Sequence, residues 1–218
     1  MEHEFKKTRI LCYGDSNTWG YVSGSSHQRY GDNERWPKLL ANLLGEDFEI
    51  IEEGLNSRTL TSDDPRPGKE GRSGYDYLFP CLDSHDPIDL VILMLGTNEL
   101  KHSFGKTPAE IGEILEQYFV LNILNRKSQF RGTFPKLLIV TPPTVNENTE
   151  YCKAGDKYLG ATQKSAELDE VYKKIAEKNG CYFLSNAGLE TGPDGVHLTL
   201  GSHQKLARSL AEIITQRN

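Results

Sequence analysis

The stretch LVILMLGTN, residues 90–98, contains the longest unbroken apolar run of the chain, and a glycine and two polar residues follow it directly. Such a run is far too short to cross a bilayer, but it is typical of a strand that is buried on both faces of a parallel sheet. Similar short apolar runs predict four further strands, at residues 10–13, 48–51, 137–141 and 181–184.

Helical patterns fall between and after the predicted strands, at residues 34–44, 75–82, 108–124, 161–178 and 200–216. Pro37 suits the first turn of the first helix and Gly45 suits its end, whereas Pro80 is expected to interrupt the second helix. The alternation of strands and helices predicts an α/β fold, with a five-stranded open parallel sheet covered by helices on both faces. No linker or repeat divides the chain, so we expect a single domain over residues 1–218, with residues 1–8 as a loose N-terminal tail.

The composition excludes several classes of protein. The 218 residues include 25 Lys+Arg and 31 Asp+Glu, a net charge of −6, and no basic block is present, which argues against a nucleic-acid partner. The N-terminus has no apolar signal region and no stretch could span a membrane, so we expect a cytoplasmic protein without a membrane partner. Four cysteines stand at positions 12, 81, 152 and 181 without metal-ligand spacing, which favours reduced thiols.

Polar residues and glycines follow three of the predicted strands. Ser16 follows the first strand, Gly54 the second and Asn98 the third, and the sequence Asp194-Gly195-Val196-His197 precedes the last helix. In an open α/β sheet, ligands bind beyond the carboxyl ends of the strands, near the point where the strand order reverses. We therefore expect these four segments to meet at one edge of the sheet.

The combination of Ser16, His197 and Asp194 suits nucleophilic catalysis. A serine becomes a nucleophile only beside a base, and among six histidines His197 alone combines an acid three residues earlier with a strand-end position before a helix. Through the flexible Gly195, the Asp194 carboxylate can accept the imidazole Nδ1–H, so that Nε2 is free to take the Ser16 proton. The alternative for Ser16 is an ordinary helix N-cap.

Gly54 and Asn98 suit the stabilisation of negative charge in such a reaction. An acyl-transfer site needs hydrogen-bond donors that are directed at the developing oxyanion. The backbone N–H groups of Ser16 and Gly54 and the side-chain amide of Asn98 could supply three donors. A plain turn at Gly54 and an Asx-turn at Asn98 remain the alternatives.

These four segments together resemble the four sequence blocks of the SGNH, or GDSL, hydrolase superfamily. The longer strings CYGDSNTWGY, IEEGLNSRT, DLVILMLGTNELK and DGVHLT resemble its bacterial aryl-esterase branch, which includes acyltransferases that perhydrolyse short esters. The resemblance covers most of the chain and implies a flavodoxin-like three-layer α/β/α sandwich with a Ser-His-Asp triad. It implies a small ester as substrate, no metal or organic cofactor, and a homo-oligomer.

Three further residues are predicted to shape the substrate pocket. Trp19, close to the nucleophile, is expected either to form a pocket wall or to pack in the core. Asn56 is a candidate for holding the catalytic loop, and Asp15 for bracing the serine loop. The loops at residues 61–74 and 144–160 match no block of the superfamily, and they leave the identity of the substrate open.

Three functions are compatible with these features. The first is a serine hydrolase of short-acyl or aryl esters, which could also transfer the acyl group to alcohols or peroxide. The second is a carbohydrate acetylesterase, and the third is a flavodoxin-like binding module without catalysis.

Overall fold

The computed structural model describes residues 7–64 and 66–216, and its centre is a five-stranded sheet in which every strand pair is parallel. The strand order is β2-β1-β3-β4-β5, the flavodoxin-like order, so the predicted fold class is confirmed. The strands are β1 (Thr8–Gly14), β2 (Phe48–Gly54), β3 (Leu90–Met94), β4 (Lys136–Val140) and β5 (Tyr182–Leu184).

The main predicted helices are present, and short helical segments are added in the loops. The helices are α1 (Ser16–Trp19), α2 (Trp36–Leu44), α3 (Gly74–Ser84), α4 (Pro108–Ile114), α5 (Leu121–Leu124), α6 (Glu150–Lys153), α7 (Ala161–Asn179) and α8 (Leu200–Thr215). A π-helical segment, Leu115–Val120, joins α4 to α5, so the helix predicted over 108–124 has the expected extent. Within the described residues, no helix has the length and apolar character needed to cross a membrane.

Alternate side chains of the strands build two separate cores. Leu11 and Tyr13 of β1 pack on one face of the sheet, whereas Ile10 and Cys12 pack on the other, as the two-residue period of a strand requires. The first core contains residues of α3, α4 and α7, and the second contains residues of α2 and α8. Because helices cover both faces, the loops at the carboxyl ends of the strands are left to form a binding site.

Two predicted boundaries are corrected by the structure. Thr8 belongs to β1 rather than to a loose tail, Lys7 precedes the strand as an exposed residue, and residues 1–6 lie outside the described part of the chain. The strand β2 continues past the predicted residue 51 to Gly54, and the two acidic residues of this added stretch have partners. Glu52 accepts a hydrogen bond from Arg35 at 2.7 Å, and Glu53 pairs with His85 at 2.9 Å.

The expected interruption at Pro80 is also wrong, because α3 runs through this residue. A proline inside a helix removes one backbone hydrogen bond and costs about 3 kcal/mol. Leu78, Cys81 and Leu82, on the inner face of α3, are buried in the first core, and each such side chain contributes about 1.5–3 kcal/mol. Packing therefore outweighs the local preference of the proline.

Candidate active site

The turn from β1 into α1 presents the hydroxyl of Ser16 at the carboxyl end of β1. Asp15 is the N-cap of α1, and its carboxylate accepts a hydrogen bond from the backbone N–H of Asn17 at 2.9 Å. Ser16 is therefore the first helical residue and not the N-cap, so its side chain is free for chemistry. Gly14 makes the turn possible, because a Cβ there would lie 2.0 Å from the Thr18 hydroxyl oxygen.

Ser16, His197 and Asp194 form one chain of hydrogen bonds. The Ser16 hydroxyl lies 2.9 Å from Nε2 of His197, and Nδ1 of His197 lies 2.7 Å from a carboxylate oxygen of Asp194. All three residues are buried, although they come from segments that are about 180 residues apart in the sequence. The structure thus brings together the nucleophile, the base and the acid that the sequence predicts.

The Asp194 carboxylate is held by three hydrogen bonds from its own loop. Its Oδ1 accepts from the backbone N–H groups of Val196 and His197, both at 2.9 Å, while Oδ2 faces the imidazole. Burial alone would raise the pKa of Asp194, but the hydrogen bond and charge of His197, with the two backbone N–H groups, hold this pKa well below its usual range. Asp194 is therefore an ionised acceptor that orients the His197 ring.

Two residues that the sequence analysis missed hold His197 in place. The Asn17 side chain donates to the carbonyl of Val196 at 3.3 Å and accepts from the N–H of Leu198 at 2.9 Å, so it fixes the backbone on both sides of the histidine. The ring of Tyr21 stacks on the imidazole, with 4.3 Å between the ring centroids. Both residues stand in the string CYGDSNTWGY, but they act on His197 through contacts that only the fold creates.

Asn98 lies at the carboxyl end of β3 and faces the same cavity as Ser16. Its side-chain amide donates one hydrogen bond to the backbone carbonyl of Arg58 at 2.9 Å, which fixes the orientation of the amide. An amide nitrogen carries two hydrogens, so the second remains for a ligand. Asn98 is only 5% exposed, and a hydrogen bond donated from such a dry position is stronger than one in water.

Gly54, predicted to supply an oxyanion donor, is not among the described residues that line the cavity of Ser16. Gly54 ends β2 beside Gly14, and a Cβ on it would lie 2.2 Å from the backbone nitrogen of Trp19. Its role is to let α1 approach the sheet closely, and it does not line the cavity of Ser16. The residues that reach the cavity from this segment are Asn56 and Ser57, two and three positions later.

Ser57 has a left-handed backbone conformation, with φ of +67°, which is uncommon for any residue other than glycine. Its N–H has no hydrogen-bond partner among the described residues, and the same is true of the N–H of Ser16. These two backbone groups and the Asn98 amide are the donors that the structure offers near the nucleophile. Glycine usually signals such a turn, and a serine at this position gives the sequence no comparable signal.

The three residues predicted to shape the pocket have different positions. Asn56 lines the cavity, and its buried side-chain oxygen has no hydrogen-bond partner among the described residues. Asp15 is fully buried below the cavity, where it caps α1, so its predicted bracing position agrees with its contacts. Trp19 does not line the cavity, because its ring packs beside Tyr21 and under the Arg29 guanidinium, 5.0 Å from the ring centroid.

The cavity beside the Ser16 hydroxyl has a volume of about 260 Å³. Side chains from the segments that follow α1, β2 and β4 form it together with residues at the strand ends. They are Ser16, Tyr21, His27, Asn56, Ser57, Arg66, Lys69, Thr97, Asn98, Lys101, Tyr151, Lys157, Tyr158, Val196 and His197. A larger cavity of about 390 Å³ lies at the amino ends of the strands, but its described lining residues include no serine, histidine or cysteine.

One group of side chains combines three atoms that could bind a metal ion. Glu53, Cys81 and His85 place a carboxylate oxygen, a thiol and an imidazole nitrogen within 4.8 Å of one another. The carboxylate is already paired with the imidazole, and burial with the charge of Glu53 raises the pKa of the Cys81 thiol to about 12. None of the three lines the cavity of Ser16, so this group has no part in the site.

Glu99, next to Asn98, makes the stability of the site depend on pH. It is buried, accepts a hydrogen bond from the N–H of Leu60 at 2.5 Å, and has a second carboxyl oxygen without a partner among the described residues. Burial raises the pKa of Glu99 from 4.5 to about 7. Between these values the unfolded chain loses a proton that the folded protein keeps, so the contribution of Glu99 to stability falls as the pH rises.

We therefore expect the substitution Glu99→Gln to reduce the loss of stability between pH 5 and pH 8. The free energy of unfolding, measured by urea denaturation at both pH values, should fall less in the variant than in the wild type. The difference should be up to about 3 kcal/mol, since one pKa unit corresponds to about 1.4 kcal/mol. Equal pH dependence of the two proteins would show that Glu99 ionises in the folded state as easily as in the unfolded chain.

Comparison with known proteins agrees with this geometry. Residues 12–205 match the model of the GDSL-like lipase/acylhydrolase family. The chain is 37% identical in sequence to the aryl esterase of M. smegmatis. The match covers 96% of this chain and 99% of that chain, with a TM-score of 0.85. It is 34% identical to Est24, a carbohydrate acetylesterase from Sinorhizobium meliloti, covering 97% and 100% of the two chains, with a TM-score of 0.88.

A putative arylesterase from Agrobacterium tumefaciens is 29% identical over 96% of this chain and 99% of its own, with a TM-score of 0.84. No curated protein matches the chain significantly. The family match spans the segments of Ser16, Asn98 and His197, and the likeness to the M. smegmatis enzyme spans nearly the whole of both chains. The chain therefore belongs to the GDSL-like lipase/acylhydrolase family.

Proposed function

We propose that the protein is a serine hydrolase of carboxylic esters with short acyl groups, including aryl esters. The observation that carries this proposal is the chain of hydrogen bonds from Ser16 through His197 to Asp194, with lengths of 2.9 and 2.7 Å. It lies beside a cavity at the carboxyl ends of the strands. Such a chain provides a nucleophile, a base and a group that orients the base.

The reaction follows from this geometry. As the Ser16 oxygen attacks the ester carbonyl, its proton passes to Nε2 of His197, and the imidazolium that forms is stabilised by the ionised Asp194. The tetrahedral oxyanion accepts hydrogen bonds from the backbone N–H groups of Ser16 and Ser57 and from the Asn98 amide. His197 returns the proton to the leaving alcohol, and an acyl group remains on Ser16. Water, deprotonated by His197, then releases the acid.

Acyl transfer to another nucleophile is a second outcome of the same intermediate, and we propose it here as well. An alcohol or a peroxide that enters the cavity could replace water in the second half of the reaction. To test this, the enzyme is given an alcohol together with an acetate ester, and the products are separated by chromatography. Acyl transfer gives the acetate ester of the added alcohol, whereas hydrolysis gives acetate. Hydrolysis alone would reject acyl transfer and would leave the hydrolase proposal intact.

The size of the cavity predicts the acyl specificity. A space of about 260 Å³ accommodates a small ester, and a pocket of fixed size excludes additional methylene groups. We expect p-nitrophenyl acetate and propionate to be hydrolysed well, and esters of more than about eight acyl carbons to be hydrolysed poorly. Values of kcat/KM over a series of chain lengths test this. Faster hydrolysis of long-chain esters would contradict it.

Asn98 allows a direct test of the oxyanion donors. The substitution Asn98→Ala removes a donor that acts mainly in the transition state, so kcat should fall by about 10² to 10³, with little change in KM. Steady-state kinetics with p-nitrophenyl acetate measure both constants. A change in KM alone would make Asn98 a contact of the bound substrate instead. Circular dichroism should verify that the segment held by the Asn98–Arg58 hydrogen bond keeps its fold.

The likeness to Est24 favours a second candidate, the removal of acetyl groups from carbohydrates. The same catalytic residues would serve both substrates, because only the alcohol part of the ester differs. Comparison of kcat/KM for p-nitrophenyl acetate and for acetylated xylo-oligosaccharides distinguishes the two. A fluorophosphonate label on Ser16, located by mass spectrometry, distinguishes both enzymes from a binding module that lacks a reactive serine.

We further propose that the protein is a cytoplasmic homo-oligomer whose partner molecules are small esters rather than nucleic acids or membranes. Exposed apolar side chains support association between copies, among them Leu43, Tyr118, Leu121 and Leu159. The four cysteine thiols are unpaired, in keeping with a reducing compartment. Light scattering of the purified protein and cell fractionation test the two statements.

A further inference from the structure

The cavity of Ser16 is strongly basic, although the protein as a whole is acidic. Four cationic side chains line it, Arg66, Lys69, Lys101 and Lys157, whereas none of its described lining residues is an aspartate or a glutamate. The complete chain has six more acidic than basic residues. This concentration of one sign of charge in a concave site attracts ligands of the opposite sign.

Among the described residues, Asp64 is the carboxylate that forms ion pairs with these cations. Arg66 holds Asp64 by two hydrogen bonds, from Nε at 2.8 Å and from Nη2 at 2.5 Å. The ammonium of Lys101 lies 3.9 Å from the same carboxylate, so two cations share one negative charge. In the described part of the chain, neither Lys69 nor Lys157 has a carboxylate within 4.0 Å. The four cations therefore outnumber the carboxylates that pair with them.

Lys101 and Lys157 lie where water stabilises their charges poorly. Lys101 is only 8% exposed, and burial together with the positive charge of Arg66 lowers the pKa of its ammonium to about 8. The pKa of Lys157 is lowered by the same two causes, and its Nζ lies 3.7 Å from the ring centroid of Tyr151. Cations that are partly desolvated without a close counter-ion gain free energy when an anion binds beside them.

The cations come from three separate loops. Arg66 and Lys69 belong to the loop after β2, Lys101 follows β3, and Lys157 lies in the segment before α7. Ser16 and His197, in the same cavity, come from two other segments. A charged group of a bound ester can therefore reach the cations while its carbonyl group lies at Ser16.

Resting on the proposed ester hydrolysis, we propose that the preferred substrates are anionic esters, which carry a carboxylate, phosphate or sulfate group that binds among Arg66, Lys69, Lys101 and Lys157. Hydrogen bonds to an ionised partner contribute about 1.5–3 kcal/mol each, which corresponds to a factor of about 10 to 150. The preference should appear in kcat/KM and should decrease with salt, because ions screen the partly exposed charges.

The test compares esters that differ in charge but hardly in shape. On the alcohol side the pair is 4-acetoxybenzoate and 4-acetoxybenzamide, and on the acyl side it is p-nitrophenyl hemisuccinate and the p-nitrophenyl ester of monomethyl succinate. 4-Acetoxyphenyl phosphate replaces the carboxylate by a phosphate. Each kcat/KM is divided by the rate constant for alkaline hydrolysis of the same ester, which corrects for leaving-group reactivity. In at least one pair, we expect the anionic ester to be preferred by about tenfold or more.

Variants of the cations identify where the preference originates. The substitutions Lys101→Met and Lys157→Met keep the length of each side chain and remove its charge, so the anionic-to-neutral ratio should fall by about tenfold in each. The control is Lys174→Met, an exposed lysine of α7 that pairs with Glu170, and its ratio should equal that of the wild type. If the buried Lys101 variant is unstable in thermal denaturation, Lys69→Met takes its place.

The outcomes separate this inference from the proposed function. Equal or faster hydrolysis of the neutral ester in both pairs, or a ratio that the lysine variants leave unchanged, would overturn the inference while ester hydrolysis stands. Hydrolysis of none of the esters would overturn both. If the acetate ester that carries a phosphate is preferred over both esters that carry a carboxylate, the anionic group of the better substrates is a phosphate. The reverse order would identify this group as a carboxylate.

Discussion

The variant Ser16→Ala is expected to lose nearly all esterase activity, with a decrease in kcat on the order of 10⁶, the effect of removing the nucleophile from another serine hydrolase. Without the hydroxyl, no acyl-enzyme can form, and His197 has no proton to accept. The residual rate would come from water in a cavity that still contains the donors of Ser57 and Asn98. Steady-state assays with p-nitrophenyl acetate measure the loss, and burst-phase kinetics should show no acyl-enzyme.

The fold of this variant should be preserved, because the Ser16 hydroxyl makes its hydrogen bond with His197 and the N-cap of α1 is supplied by Asp15. Thermal denaturation and circular dichroism test this point. The matched control is Ser209→Ala, a serine on α8 outside the cavity, which should keep full activity. Wild-type activity in a pure Ser16→Ala preparation would reject Ser16 as the nucleophile.

The variant Asp194→Asn is expected to lose about four orders of magnitude in kcat, as the equivalent change does in another serine hydrolase. The loop geometry explains why an isosteric change has so large an effect. The Oδ1 atom of Asp194 accepts two backbone N–H groups, so an asparagine must place its oxygen there and its NH₂ group toward Nδ1 of His197. The imidazole then accepts at Nδ1 and carries its proton on Nε2, where it cannot accept the proton of Ser16.

This effect can be measured apart from any loss of stability. ¹⁵N NMR of the histidine side chains reports which ring nitrogen carries the proton, and it should show the change of tautomer in Asp194→Asn. Asp47→Asn, at an exposed aspartate in the turn before β2, is the control for a change of charge and should keep both tautomer and activity. An active Asp194→Asn enzyme with the original tautomer would contradict the role of Asp194.

Much of the fold follows from local patterns in the sequence. The apolar runs that form β1, β3 and β4 are typical of strands buried on both faces of a sheet. The helices between them begin and end at residues that are typical of helix ends. The ends of the elements were harder to predict, because distant partners determine them. β2 reaches Gly54 since Arg35 and His85 pair with its acidic residues, and α3 passes through Pro80 since its inner face is buried.

The candidate site divides in the same way. Ser16, Asp194 and His197 could be predicted because each stands in a short motif at a strand end, where the chemistry of the residue and its position in the sheet agree. Gly54 was predicted as a donor because glycine permits a close backbone approach. That approach is present, but it is made by α1 and not by a substrate.

By itself, the sequence determined the parallel sheet and predicted Ser16 as the nucleophile and His197 as its base, because strand burial and the Asp194–His197 spacing are local properties of the chain. Only the tertiary structure decided that Ser57 lines the cavity with a left-handed backbone, since this conformation has no signature in a serine. The structure alone also placed Tyr21 against His197 and gathered cations from three loops around Ser16. Such contacts join residues far apart in the chain, and they arise from how the loops pack beyond the sheet rather than from any local pattern.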